Sequence, residues 1–157
     1  MSEFDRAIVD CARRGHVRPR SFAMSHALLE RAKVHGLSGL VADSMLASGS
    51  SLSDDVAALA REFRLANLAR HLAMVDDAER LSSALSSADI PHAIFKGPVI
   101  AALHHNEPTS RAYVDLDVLV DPLDLEGALA ALKEVGYGLE TRNWPLYVAH
   151  VPAELAL

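Results

Sequence analysis

The chain has 157 residues, of which 50% are apolar, so one compact domain or two small units can bury a core. Its 15 Lys and Arg against 21 Asp and Glu give a formal net charge of -6, which weakly disfavours a nucleic acid partner without excluding one. No basic N-terminal stretch precedes an apolar one, and no apolar run approaches the ~20 residues that span a bilayer. The single cysteine, Cys11, excludes an internal disulfide and a cysteine-based zinc cluster. We expect a soluble, cytoplasmic protein with no membrane partner.

The first part of the chain is predicted to be helical. Apolar residues recur at helical spacing in three segments, which are separated by glycine, proline and serine. Ser21 or Ser25 is placed to cap the second helix, and Gly36 is placed to end it. The three predicted helices cover residues 3–14, residues 21–34 or 25–34, and residues 38–47.

A long helix is predicted over residues 53–87. Ser53 is followed by two aspartates, and acidic groups in the first turn favour the positive end of the helix dipole. Apolar residues then recur at spacings of three and four, with arginines between them and no helix breaker. The heptads are imperfect, which favours packing of this helix against the rest of the chain. Self-association through residues 53–87 stays open as an alternative.

The character of the chain changes after Asp89, where short apolar strands alternate with helices. The predicted elements are a strand at 90–95, a helix at 98–104 or 98–105, a strand at 113–120, a helix at 125–135, a strand at 137–141 and irregular or edge structure at 142–157. This order predicts an α+β fold of mixed α/β character, with parallel pairing allowed where a helix crosses over. We divide the chain into a helical N-terminal region, residues 1–88, and a partial sheet with flanking helices, residues 89–157.

Two carboxylates, Asp115 and Asp117, lie within an otherwise apolar predicted strand. Because side chains alternate along a strand, both should project to one side, about 6 to 7 Å apart. Carboxylate oxygens are the ligands that Mg²⁺ prefers, so this pair is a candidate site for one or two Mg²⁺ ions that bridge the phosphates of a nucleotide.

Three further residues before this pair suit a phosphate ligand. Gly97 lets another backbone approach closely, and the helix that starts there can present N–H groups to an anion. Lys96 and Arg111 would add positive charge to the same oxygens. Together with Asp115 and Asp117, these residues are the parts of a nucleotidyl-transfer site.

The same stretch resembles the nucleotidyltransferase superfamily of the DNA polymerase beta type and, within it, an uncharacterised bacterial nucleotidyltransferase family. The positions that match the family are residues 90–103, Arg111, residues 115–120, Pro122, Gly136 and Tyr137. The resemblance is specific over residues 90–137, whereas in the helical part only residues 32–40 are similar to the family. It implies transfer of a nucleoside monophosphate from an NTP to an acceptor, with Mg²⁺ in a two-metal site on Asp115 and Asp117.

The chain departs from the superfamily pattern at two points. Pro98 replaces the serine that commonly follows the turn glycine, which removes a hydroxyl and an N–H group. The superfamily also places a third carboxylate on a later strand, for which Glu140 is a candidate; a strand beyond Leu157, in a longer protein, is the other. The acceptor cannot be read from the sequence. Two alternatives therefore stay open, namely a non-catalytic nucleotide-binding protein and a helical protein-interaction module.

Overall fold

The computed structural model describes residues 5, 6, 8, 9, 12, 25–47, 52–104, 107 and 110–139. Its elements in chain order are α1 (His26–Val34), α2 (Ser38–Ala47), α3 (Asp54–Ser87), β1 (His92–Phe95), α4 (Gly97–His104), β2 (Asp117–Val120), a short 3-10 helix (Pro122–Asp124) and α5 (Leu125–Glu134). The fold is α+β, as predicted. None of the helices in the described ranges is both long enough and apolar enough to cross a membrane.

The helices of the N-terminal part begin and end close to their predicted positions. Ser25 occupies the cap position of α1 with an extended backbone, although its side chain makes no capping hydrogen bond. At the other end, Gly36 has a φ of +68° and its N–H donates to the carbonyl of Lys33. This left-handed conformation is one that glycine adopts without steric cost, so the predicted helix end is confirmed. The described residues before α1 that are helical fall within the helix predicted at 3–14, whose remaining residues lie outside the described ranges.

The long helix α3 runs without a break over Asp54–Ser87, in agreement with the predicted range. Asp54 and Asp55 occupy its first turn. A hydrogen bond from the Ser53 side chain, followed by one from the backbone N–H of Val56, lowers the pKa of Asp55. The ionised form is therefore favoured at the positive end of the helix dipole, which is the physical basis of the sequence prediction.

The described residues group into two compact units, one within residues 1–76 and 95–117 and the other within residues 77–94 and 118–157. The buried apolar core of the first unit consists of Ile8, Leu28, Leu29, Ala32, Val41, Ala42, Met45, Val56 and Ala60. The core of the second unit consists of Leu81, Leu85, Ile90, Ala128 and Leu132. Burial of each leucine stabilises its unit by roughly 1.5–3 kcal/mol. The division at residue 88 that the sequence suggests stays a prediction.

The sheet contains two strands in the described part of the chain, β1 and β2, and they pair antiparallel. Parallel pairing, which the sequence allowed, is therefore wrong. The second strand is also shorter than predicted, since residues 113–116 join no ladder. The Asp115 carbonyl and the Tyr113 and Leu116 side chains instead lie near Gly97 in the turn after β1. The strand predicted at 137–141 is absent from its described residues, 137–139. Glu140 and the segment 142–157 lie outside the described ranges.

Candidate functional site

The turn between β1 and α4 has an unusual backbone. Lys96 has a φ of +59° and Gly97 a φ of +42°, so two consecutive residues adopt left-handed conformations. The N–H groups of Val99 and Ile100 donate to the carbonyl of Lys96, at 3.0 and 3.3 Å. These donors are engaged within the turn, and Pro98 has none. The positive charge that this turn offers to an anion therefore comes chiefly from the Lys96 side chain.

Gly97 lies directly against the segment that carries the first aspartate. A Cβ atom at position 97 would lie 3.1 Å from the backbone carbonyl oxygen of Asp115 and 3.6 Å from the ring of Tyr113. A side chain at this position would require the Asp115 carbonyl to move by a few tenths of an ångström, and that atom belongs to the backbone. The sequence predicted that another backbone approaches this glycine closely, and in the structure that backbone is the Asp115 carbonyl of the same chain.

The second aspartate is in contact with the lysine of the turn. The Nζ atom of Lys96 lies 3.4 Å from Oδ1 of Asp117. The Asp117 side chain is 18% exposed, whereas that of Lys96 is 52% exposed and lies over the ring of Phe95. Asp117 is the first residue of β2, and Asp115 precedes this strand and is exposed. Four of the predicted residues, Lys96, Gly97, Asp115 and Asp117, thus lie together.

Arg111 is the fifth predicted residue, and it does not share these contacts. Within the described residues no hydrogen bond or ion pair joins it to Lys96, Asp115 or Asp117. Its Nε atom is buried, and it has no hydrogen-bond partner in the described part of the chain. Burial raises the pKa of Tyr113, and the positive charge of Arg111 acts in the opposite direction. Within the described ranges, Arg111 therefore brings to the segment that leads to Asp115 a positive charge whose Nε atom has no hydrogen-bond partner.

The residues that hold this segment were not predicted from the sequence. The hydroxyl of Ser110 donates to Oδ2 of Asp43 on α2, at 2.6 Å, and the hydroxyl of Tyr113 is hydrogen-bonded to Nδ1 of His71 on α3. Asp43 also lies 3.3 Å from Nε of Arg64, close enough for an ion pair although not aligned for a hydrogen bond. Polar residues on helix faces are ordinarily solvated, so no local pattern distinguishes these contacts from surface positions.

A cleft of about 660 Å³ borders the same segment. Its walls include charged side chains of both signs and two aromatic ones: Glu30, Lys33, Glu62, Arg70, Phe63 and Tyr113. This volume is in the range of clefts that hold small organic molecules.

The two carboxylates are the kind of ligand that a hard divalent cation prefers, but they are too few to form a complete metal site. Asp115 and Asp117 supply oxygen ligands of the kind that Mg²⁺ prefers. Among the described residues, no group of three or more His, Cys, Asp or Glu side chains could hold a metal ion. Glu140, one of the two candidates for the third carboxylate, lies outside those ranges.

Comparison with protein families bears on what kind of protein this is. A family model described as "uncharacterised nucleotidyltransferase" matches residues 23–151. The match covers well over half of the chain, so the chain belongs to this nucleotidyltransferase family, and the resemblance found in the sequence is confirmed. Comparison with curated proteins and with solved structures gives no match.

Proposed function

We propose that the protein is a Mg²⁺-dependent nucleotidyltransferase that transfers a nucleoside monophosphate from an NTP to an acceptor. Membership of a nucleotidyltransferase family supports the reaction class. The observation that carries the assignment to particular residues is the contact of the turn with both aspartates, through Gly97 to Asp115 and through Lys96 to Asp117. Cationic and anionic groups that are distant in sequence meet there, as binding of a metal-complexed triphosphate requires.

Asp115 and Asp117 would hold Mg²⁺ through their carboxylate oxygens, and the third carboxylate would be Glu140 or one beyond Leu157 in a longer protein. When bound, Mg²⁺ supplies neutralisation of phosphate charge and a lower pKa for the attacking hydroxyl. The two aspartates orient the triphosphate relative to the turn, because the Asp115 backbone is packed against Gly97.

Lys96 would bind a phosphate oxygen. Its present partner, Asp117, is 3.4 Å away, which is long for a charge-assisted hydrogen bond, typically ~2.7–2.9 Å. Because the lysine side chain is half exposed, the pair contributes little to stability. Lys96 is therefore free to exchange this partner for a phosphate when a nucleotide enters.

Arg111 would supply a second positive charge to the phosphates. Burial of a guanidinium donor without a partner is unfavourable, by roughly 1–3 kcal/mol for a donor left unsatisfied. An anionic ligand would remove this cost, since guanidinium groups bind phosphate through paired N–H donors.

Calorimetric titration with ATP and GTP, in the presence and absence of Mg²⁺, tests the proposal. We expect binding that requires Mg²⁺ and that Asp117→Ala weakens by at least an order of magnitude, as removal of a metal ligand does. Asp76→Asn is the matched control, because it removes an exposed carboxylate from α3 and leaves the turn unchanged. Absence of Mg²⁺-dependent binding, together with an unchanged Asp117→Ala variant, would show that the proposal is wrong.

Pyrophosphate release distinguishes catalysis from binding alone. With a suitable acceptor, the active enzyme releases one pyrophosphate for each nucleotide transferred. A protein that binds Mg²⁺ and NTP but releases no pyrophosphate with small-molecule, protein or RNA acceptors would be the non-catalytic nucleotide-binding alternative.

A further inference from the structure

The segment that leads to the aspartates is fixed at its beginning by α2. Ser110 is buried, with 8% of its surface exposed, and its hydroxyl donates to Oδ2 of Asp43 at 2.6 Å. Its backbone N–H donates to the carbonyl of Glu107 at 3.0 Å. Both polar groups of Ser110 that can donate are therefore engaged, which restricts the backbone immediately before Arg111.

The acceptor of the Ser110 hydroxyl is itself held in place. The Asp43 side chain is 18% exposed, and its second oxygen lies 3.3 Å from Nε of Arg64 on α3. One oxygen of this carboxylate accepts the Ser110 hydrogen bond and the other lies close to a guanidinium, so the two contacts restrict the orientation of the Asp43 side chain. Asp43 thus connects two helices to the Ser110 hydroxyl.

The same segment is fixed a second time, three residues later. The Tyr113 hydroxyl is hydrogen-bonded to Nδ1 of His71, and the two rings meet edge to face with centroids 6.1 Å apart. Only 8% of the Tyr113 surface is exposed. Arg111 lies between these two attachments, and its buried Nε has no partner in the described ranges.

We propose that Asp43 and Ser110 are positioning residues that set the orientation of Arg111 toward the phosphates of the bound nucleotide. The inference rests on the proposed function, since it assigns a role in binding the same ligand. No described side chain holds the Arg111 Nε, so the direction of the guanidinium depends on the backbone, which Asp43 fixes through Ser110. The helical part is then a component of the nucleotide site, rather than a separate module.

A double-mutant cycle on the full chain tests this role. The ligands are Mg²⁺ with ATP and Mg²⁺ with inorganic tripolyphosphate, titrated calorimetrically into wild-type protein, Ser110→Ala, Arg111→Met and the double variant. We expect Ser110→Ala to weaken binding of both ligands roughly tenfold to a hundredfold, the range expected for loss of one hydrogen bond to a charged group. In the Arg111→Met background, the same change should have no further effect, because the group that it orients is gone.

Variants at Asp43 provide the conservative comparison. Asp43→Asn keeps an oxygen of the same shape for the Ser110 hydroxyl and should retain most of the affinity, whereas Asp43→Ala should resemble Ser110→Ala. Ser82→Ala is the matched control, because it removes a similar hydroxyl hydrogen bond, 2.8 Å to Nε2 of His92, outside the segment 110–113. Circular dichroism below the unfolding transition establishes that each variant is folded.

The possible results separate the two proposals. Wild-type protein that binds neither ligand in the presence of Mg²⁺ overturns the proposed function. Wild-type binding with independent, multiplicative effects of Ser110→Ala and Arg111→Met overturns the positioning role alone. An effect of Ser82→Ala as large as that of Ser110→Ala also overturns it, since loss of affinity would then follow from general loosening of the fold.

Discussion

Substitution of Gly97 by alanine is the most direct test of how the turn is built. The φ of +42° is in the left-handed region, where a non-glycine residue loses about 1–2 kcal/mol. In addition, the new Cβ would lie 3.1 Å from the carbonyl oxygen of Asp115, so one of the two backbones must move by a few tenths of an ångström. Overpacking of this kind costs about 1–3 kcal/mol. We expect Gly97→Ala to lower the free energy of unfolding by about 2–5 kcal/mol, the sum of the two contributions.

Gly36→Ala separates these two contributions. Gly36 also has a positive φ, +68°, but a Cβ atom there would meet no other atom within 4 Å. Only the backbone term applies, so we expect a loss of about 1–2 kcal/mol. The difference between the two variants, measured by urea denaturation, then reports the contact of Gly97 with Asp115.

Nucleotide binding should distinguish the two glycines more clearly than stability does. Displacement of the Asp115 backbone moves a proposed metal ligand, so Gly97→Ala should weaken Mg²⁺-dependent ATP binding under conditions in which the variant is folded. Gly36→Ala should leave it unchanged. Equal losses of stability in both variants, with equal ATP affinity, would refute the contact and its role.

Three further predictions concern the charge, the acid–base behaviour and the surface of the first unit. Arg111→Met should abolish most nucleotide affinity without loss of stability, because the Nε that it removes is buried without a partner in the described ranges. Calorimetry measures the affinity and thermal unfolding measures the stability. A large fall in melting temperature would contradict the reasoning. Burial raises the pKa of Tyr113, so above about pH 10 the unfolded chain releases this proton first and the free energy of unfolding falls as pH rises. Urea denaturation at about pH 9 and 11 should show a smaller fall in Tyr113→Phe, and an equal fall would count against this. Leu68 and Leu72 are 38% and 59% exposed on α3, so Leu68→Asp and Leu72→Asp should not unfold the protein. If light scattering shows a dimer that both substitutions abolish, and the protein binds no nucleotide, the protein-interaction module would be favoured.

The elements that could be predicted are those whose signals are local. The bounds of α3 and α5 follow from apolar spacing and from the residues at their ends, and the structure reproduces them within about one or two residues, the ordinary uncertainty of helix ends. The strand predicted to carry both aspartates was harder to predict. The alternation of apolar and acidic residues extends back to Tyr113, but the ladder begins only at Asp117, and the Asp115 carbonyl lies against Gly97.

The candidate site divides in the same way. Lys96, Gly97, Asp115 and Asp117 could be named from short motifs, and the structure brings them into contact. Their roles as ligands of metal and phosphate stay predictions. Arg111 could also be named, but its buried, unpartnered state could not, since burial depends on what packs around it.

The sequence by itself determined the helices, the change to strands after Asp89, the membership of a nucleotidyltransferase family and the residue types at the turn. Hydrophobic periodicity and end signals act over a few residues, so they survive without knowledge of the fold. Only the tertiary structure decided the antiparallel pairing of the strands, the close approach of Gly97 to the Asp115 carbonyl and the hydrogen bond from Ser110 to Asp43. Asp43 and Ser110 are separated by 67 positions. Whether two such polar groups meet depends on how α2 and the segment that leads to the aspartates pack together. No local pattern in the sequence predicts that packing.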